Sequence, residues 1–345
     1  MAVWLVRAGG QGERQEFALD NSVAVIGWDT IPDLSQFKGK DQLEAKYHEI
    51  HPEAKINTLR NWVAQLWAFS HRIEKGDLVV LPLKGQNANA IAFGKVMGDY
   101  EYRPQNPNGA KHCRPVKWIT QDMPRTRFDK DILHSFGAFM TVCQIRRNNA
   151  EERIQAILTG KKPPAPSSDG RDEIDDSGIT DDTAQENLEE NAKTQIMAHI
   201  GQKFAGHRLA DLVEAVLTAQ GYKSTKSEPG PDGGVDIIAG RGAMGFDPPK
   251  LCVQVKSSSS PLDIKVLREL KGVMKDFGAE QGLLVAWGGF KRTVVSESRR
   301  AFFEIRLWDA GDLVQAIQDH YDHFSEDLKA DLPLKRIWTL VQEDE

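Results

Sequence analysis

Residues 161–190, close to the middle of this 345-residue chain, contain almost nothing that can enter a hydrophobic core. Pro163, Pro164 and Pro166 open the stretch, and ten acids against three bases fill most of the rest. A segment of that composition cannot bury enough apolar surface to offset the entropy lost on ordering. The sequence therefore predicts a flexible acidic linker over 151–190, with folded domains at 1–150 and 191–345. Both are of ordinary domain size.

The same stretch explains the acidity of the whole. The chain carries −6, and residues 161–190 contribute 3 − 10 = −7, which leaves −6 − (−7) = +1 for everything else. Acidity is thus a local property and does not exclude nucleic acid as a partner of the folded parts. No run of residues approaches the roughly 18 apolar positions of a membrane-spanning helix. Met1 to Arg7 turns polar too early for a secretory leader and reads as a first strand. Cys113, Cys143 and Cys252 are odd in number and widely spaced, which fits neither a metal site nor a disulfide framework. These readings predict a cytoplasmic protein that makes no membrane contact.

Short β-branched runs at 3–6, 23–26, 77–83 and 90–96, set between Gly, Asn and Asp turns, predict a β-rich first domain. Helices are expected near 41–48 and 61–69. After the linker the pattern alternates: helix 208–220, strands 234–239 and 250–256, helix 262–277, strand 282–287, helix 293–302, strand 304–308. Such alternation predicts an α/β domain around a central mixed sheet.

The most informative residues lie between Pro229 and Lys256. Asp232-Gly233-Gly234 is turn chemistry that delivers Asp236 to the start of an apolar strand. Gln254-Val255-Lys256 stands on the next, with Gln254 and Lys256 on one face because side chains alternate. A hairpin pairing puts Asp236 on that face too. Phosphodiester hydrolysis asks for such a set. A carboxylate and a second oxygen hold Mg²⁺ or Mn²⁺, and an ammonium stabilises charge developing on the phosphate.

Here a resemblance becomes specific. Residues 195–320 resemble the Mrr-type catalytic domain of the restriction-endonuclease-like superfamily, in which Gly-x-Asp on one strand and Gln-x-Lys on the next form the nuclease motif. Asp236, Gln254 and Lys256 match it position by position, and Asp232 matches a frequent accompanying acid. The resemblance implies a Mg²⁺-dependent deoxyribonuclease with Asp236 and Gln254 as metal ligands. One position departs from the pattern. The family's first-helix glutamate falls on Ala210, and His207 and Glu214, on the same helical face as Asp211, are the candidates to replace it.

Helix 262–277 adds a DNA-binding stripe. Leu262, Val266, Leu270, Val273 and Phe277 are expected on its core side. Lys265, Arg268, Lys271 and Lys275 are expected on the other, where they can neutralise phosphates without reading sequence.

In the first domain, Glu74 to Pro82, Ile91 to Val96, Gly98 to Arg103 and the aromatic run Asn61 to Phe69 are similar to PUA-like barrels of the EVE type. That resemblance implies a β-barrel that holds a modified base. Trp28, Trp67 and Tyr100 offer rings for stacking, and Asp29 and Asp33 offer acceptors for an exocyclic amine. Together the readings predict a modification-dependent restriction endonuclease that defends against foreign DNA. The alternatives are a nucleic-acid-binding module with a silent or partner-dependent nuclease fold, and an RNA-processing nuclease. One site per chain cuts one strand, so double-strand cleavage predicts a homodimer.

Overall fold

The computed structural model describes residues 1–84, 89–138, 140–166, 188–227 and 234–338. The chain divides into two compact units. One comprises Met1–Met123 and Phe128–Asn191; the other comprises Pro124–Arg127 and Ala192–Glu345.

The first unit begins with β1 (Val3–Val6), α1 (Gln15–Asp20) and β2 (Val23–Ile26). Helices α2 (Lys40–Ile50) and α3 (Ile56–Trp67) follow, and a π-helical turn, Ala68–Arg72, extends α3. Next come β3 (Leu78–Pro82), β4 (Ala90–Val96), β5 (Glu101–Tyr102), β6 (His112–Pro124), α4 (Lys130–Phe136), β7 (Val142–Gln144) and α5 (Ala150–Leu158). The strands form one sheet in the order β2-β6-β4-β3-β1-β7, with β5 beside β6. The sheet curls until β2 lies against β1, four places away in the order. Where the sequence predicts a barrel, the described residues form this curled, unclosed sheet around Trp4, Phe69, Phe93 and Phe136.

Buried polar groups fix its entry points. Gly76 adopts φ +102°, which lets the chain turn into β3. The buried Asp77 then accepts from Ala2 N (2.8 Å), Trp4 Nε1 (3.0 Å) and Glu74 N (3.0 Å), locking β1 beside β3. Arg114 donates into the end of the π-helical turn, to Phe69 O at 2.5 Å and Ser70 O at 2.8 Å. Burial lowers its pKa to about 10. Carbonyls that the helix end leaves unpaired are satisfied in this way.

The expected linker begins later than its composition indicated. Residues 151–158 continue α5, whose Ile154 and Ile157 are buried in the core. Glu151-Glu152-Arg153 resembles linker in sequence, yet the buried Arg153 guanidinium donates to Asp131 Oδ1 (3.0 Å) and Asp129 Oδ2 (2.6 Å) at the start of α4. Residues 167–187 lie outside the described part.

The second unit contains α6 (Leu188–Lys203), which opens in the first, α7 (Arg208–Ala219), β8 (Lys223–Lys226), β9 (Ile237–Arg241) and β10 (Asp247–Lys256). After these come α8 (Ile264–Asp276), β11 (Gln281–Ala286), α9 (Arg292–Ser298), β12 (Ile305–Asp309), α10 (Ala310–His320) and α11 (Glu326–Asp331). The sheet order is β12-β11-β10-β9-β8. Strands β8, β9 and β10 pair antiparallel, and β10, β11 and β12 pair parallel. Buried β11 reads Gly-Leu-Leu-Val-Ala because both of its faces are covered. Leu283, Val285 and Val253 pack with α7 and α10, while Leu284, Ala286 and Cys252 pack with α8 and α9. Asp309 at the end of β12 caps α10, and Asp312 answers in a reciprocal capping box. Among the described residues no helix is long and apolar enough to cross a membrane.

Two outcomes follow. Arg153→Met leaves Asp131 without its buried partner and should cost roughly 3 kcal/mol, read as a lower urea midpoint. Burial and the neighbouring Asp309 carboxylate push the Asp312 pKa from 3.8 up to about 7. The folded chain then holds a proton between those values that the unfolded chain has lost. This contribution to stability is complete below about pH 4 and disappears as pH rises through about 7. Asp312→Asn should flatten that part of the profile and raise the melting temperature at pH 8 relative to the unmodified protein.

Candidate active site

Strand β10 enters the sheet apolar and leaves it polar. Val253 and Val255 face α7, whereas Cys252 and Gln254 alternate to the α8 side, with Lys256 next in that series. Gln254 is only 3% exposed. Burying an amide is costly unless its atoms are paired, yet Gln254 Oε1 has no hydrogen-bond partner among the described residues. Its Nε2 approaches Gly234, where an added Cβ would lie 3.1 Å away. Gly234 has φ +88°, so glycine there both makes the turn and leaves room for the amide.

Asp236 arrives from the antiparallel neighbour. Val253 pairs with Ile237, and Asp236 N donates to Val253 O at 2.9 Å. The paired register ends there, with Asp236 held against the same Val253 carbonyl. Strand β9 has no further residue to offer β10. Val255 N instead donates to Asp236 Oδ2 at 2.7 Å, so a side-chain carboxylate takes the place of the next main-chain acceptor. That carboxylate lies against the backbone linking Gln254 to Lys256. Lys256 is half-buried, and its carbonyl accepts from Trp287 N at 2.8 Å. It makes no ion pair among the described residues.

A carboxylate anchored on Val255 N and an orphaned amide oxygen on the preceding residue are hard donors, the kind that Mg²⁺ or Mn²⁺ accepts, so the residues present fit such an ion. Among the described residues no three His, Cys, Asp or Glu side chains converge. Remaining ligands would therefore be water and phosphate, as is usual for Mg²⁺.

The other sequence candidates separate. Glu214 accepts from Ser224 Oγ at 3.2 Å and lies 3.4 Å from Lys226 Nζ, which also pairs with Asp211 at 2.6 Å. Ser224 and Lys226 oppose Ala239 and Ile237, which pack with α7. Glu214 thus fastens α7 to β8 on the sheet face opposite Gln254. His207 is exposed at the start of α7. Asp232 lies outside the described residues. On α8 the core stripe is Leu267, Leu270 and Met274, with Val266 and Val273 at its flanks and Phe277 exposed. Lys265, Arg268 and Lys275 are exposed and Lys271 is half-buried.

In the first unit, a second group forms around a strained residue. Trp28 adopts φ +63°, which an aromatic residue rarely tolerates. Its carbonyl accepts from Ile31 N at 3.0 Å and from His112 Nε2 at 3.3 Å. A carbonyl can only accept, so His112 carries its proton on Nε2, and its Nδ1 accepts from Tyr100 O–H at 2.8 Å. Tyr100 O in turn accepts from Leu34 N at 3.1 Å. Burial lowers the His112 pKa. Asp33 caps the turn Leu34–Gln36 through Ser35 N (3.0 Å), and Asp29 pairs with Arg14 (3.3 Å). Trp67 stacks on His71 with ring centroids 3.8 Å apart, and His71 Nε2 lies 3.1 Å from Phe37 O. His112 escaped the sequence reading. The signal was there in His112 and Arg114, two polar residues spaced to share a buried face of β6.

Residues 202–317 match the family model Mrr_cat, described as restriction endonuclease. Residues 4–143 match a domain of unknown function, DUF8426. No curated protein matches the chain. Among solved structures, the MspJI restriction endonuclease in complex with a 27-mer oligonucleotide is similar at 14% identity. That likeness covers 92% of this chain and 75% of the other, with a TM-score of 0.33. The DNA modification-dependent restriction endonuclease AspBHI is similar at 14% identity over 80% of this chain and 73% of the other, with a TM-score of 0.34. The family match runs from the end of α6 to α10 and takes in Asp236, Gln254 and Lys256, so this part of the second unit is similar to a restriction-endonuclease catalytic domain.

Proposed function

We propose that this chain is a metal-dependent DNA endonuclease whose cutting is directed by a modified base held in the first unit. The observation that carries the catalytic half is the Asp236 carboxylate seated on Val255 N, between Gln254 and Lys256, with Gln254 Oε1 left unpaired.

A Mg²⁺ or Mn²⁺ ion bound there supplies Lewis acidity to the scissile phosphate and lowers the pKa of a coordinated water. The chain's own residues do the rest. Asp236, anchored by the Val255 amide, presents its carboxylate in one orientation. Gln254 offers an amide oxygen that has already lost its water shell. Lys256 brings a positive charge to the phosphate oxygens, where negative charge grows in the transition state. Lys265, Arg268, Lys271 and Lys275 neutralise phosphates along the duplex and add affinity without sequence preference.

Target choice is assigned to Trp28. Its strained backbone, held by His112 and Tyr100, fixes a large ring in a loop. A base turned out of the helix is recognised by stacking on such a ring and by hydrogen bonds to its edge. Backbone strain of this kind costs of order 1–3 kcal/mol and persists where the surroundings enforce it.

Asp236→Asn and Lys256→Ala should each lower Mg²⁺-dependent plasmid cleavage by about 10²–10³-fold while DNA binding persists. Binding without cutting by the unmodified protein, across metals and substrates, would show a silent module. Preferred cleavage of RNA in competition would show an RNA-processing enzyme. Trp28→Ala should reduce cleavage of base-modified DNA to the level seen on unmodified DNA. Equal loss on both substrates would remove Trp28 from recognition.

A further inference from the structure

Four exposed serines, Ser257 to Ser260, follow Lys256 directly. A stretch of this kind has no apolar side chain to bury, so nothing in its composition offsets the entropy of ordering it. Here it is tied down at both ends. Trp287 N donates to Lys256 O at 2.8 Å. Leu262 N donates to Gly289 O at 2.9 Å, and Leu262 O accepts from Lys291 N at 3.0 Å. The Lys291 ammonium adds an ion pair to Asp263 at 2.8 Å. Every one of these fastenings leads to the turn between β11 and α9, which begins Trp287-Gly288-Gly289.

Gly288 lies where the middle of the serine loop crosses that turn. A Cβ there would come within 2.5 Å of Ser259 C and 2.6 Å of Ser260 N and O. All three are main-chain atoms, so no side-chain rotation relieves the clash. Carbon atoms pack at about 3.5 Å, so one of the two segments would have to retreat by about 1 Å. The turn is the stiffer of the two. Strand β11 pairs with β10 on one side and β12 on the other, and Ala286 and Trp287 are buried. The exposed loop gives way, and because Leu262 is held, the displacement runs back toward Lys256. Gly289 has a different reason to be glycine. Its φ is +74°, and nothing lies within 4 Å of its absent Cβ.

We propose that Gly288 is a positioning residue of the candidate site. By admitting the serine loop against the turn, it fixes the end of β10 from which Lys256 meets the phosphate. The placement stands on the contact alone, and its effect on catalysis rests on the endonuclease reading. A reacting group displaced by about 1 Å loses on the order of 10²-fold in rate.

Gly288→Ala should therefore lower kcat for Mg²⁺-dependent DNA cleavage by about 10²-fold, with KM and melting temperature unchanged. Gly289→Asn changes the same turn but keeps a residue that accepts positive φ, and it should cut at the normal rate. In a Lys256→Ala background, Gly288→Ala should cost nothing further, since the group it positions is gone. Competitive acetylation of the full chain, read lysine by lysine by mass spectrometry, reports the placement without cleavage. In Gly288→Ala the reactivity of Lys256 should rise, while that of Lys265 and Lys275 stays constant. If Gly288→Ala does not fold, one glycine inserted between Ser258 and Ser259 slackens the loop with Gly288 intact, and the same loss of kcat is expected. Unchanged kcat and unchanged Lys256 acetylation overturn the proposal. So does an equal loss with and without Lys256, which would make Gly288 a part of the fold alone. Failure of the endonuclease reading looks different: Lys256 acetylation still responds to Gly288→Ala, and the unmodified protein cuts no substrate. The placement then stands and its catalytic consequence falls.

Discussion

The candidate site depends on one hydrogen bond in which a side chain stands in for main chain. Strand β9 stops pairing with β10 at Asp236, and Val255 N would otherwise face the strand end with no acceptor. A buried amide without a partner costs about 1–3 kcal/mol. The Asp236 carboxylate removes that cost, and it is drawn to the two polar residues of β10 by doing so. The hairpin's register and the placement of the acid are therefore one constraint. A slip of one residue would turn Gln254 and Lys256 toward α7 and its apolar partners.

Two other buried polar groups of the chain contrast with Gln254. Asp77 accepts three hydrogen bonds where the first two strands meet, and Arg114 donates to carbonyls at the end of a helix. Both groups serve the fold and are fully engaged in it. Gln254 Oε1 is equally buried and engaged by nothing described. An unpaired buried acceptor in a native structure calls for a reason. A cation ligand is a reason that also explains its neighbours.

Periodicity made much of the fold legible. Apolar runs located β1 to β4 and β9 to β12, and the local pattern placed helices at α2, α3, α7, α8 and α9. The reading lost force where local composition and tertiary role diverge. Residues 151–158 are charged enough to pass for linker, but the Arg153 charge is matched by Asp131 and Asp129, which are remote in sequence. Strand β6 went unseen because His112, Arg114 and Lys117 disguise its alternation, and the bonds that make His112 and Arg114 tolerable inside come from distant loops. On α7, spacing correctly placed Asp211 and Glu214 on one helical face. Spacing has no information about which side of the sheet that face meets.

The sequence by itself marked the apolar-poor acidic stretch, the α/β character of the second half and the spacing of Asp236, Gln254 and Lys256. Those properties follow from composition and short-range spacing, which act through entropy and side-chain alternation. Only the tertiary structure decided that Asp236 closes the ladder of its neighbour, that Glu214 is held by Lys226, that Trp28 is strained against His112, and that Gly288 seats the loop behind Lys256. Each of these depends on which strands lie side by side, and pairing between distant segments is set by the packing of the whole core and not by any one stretch of chain.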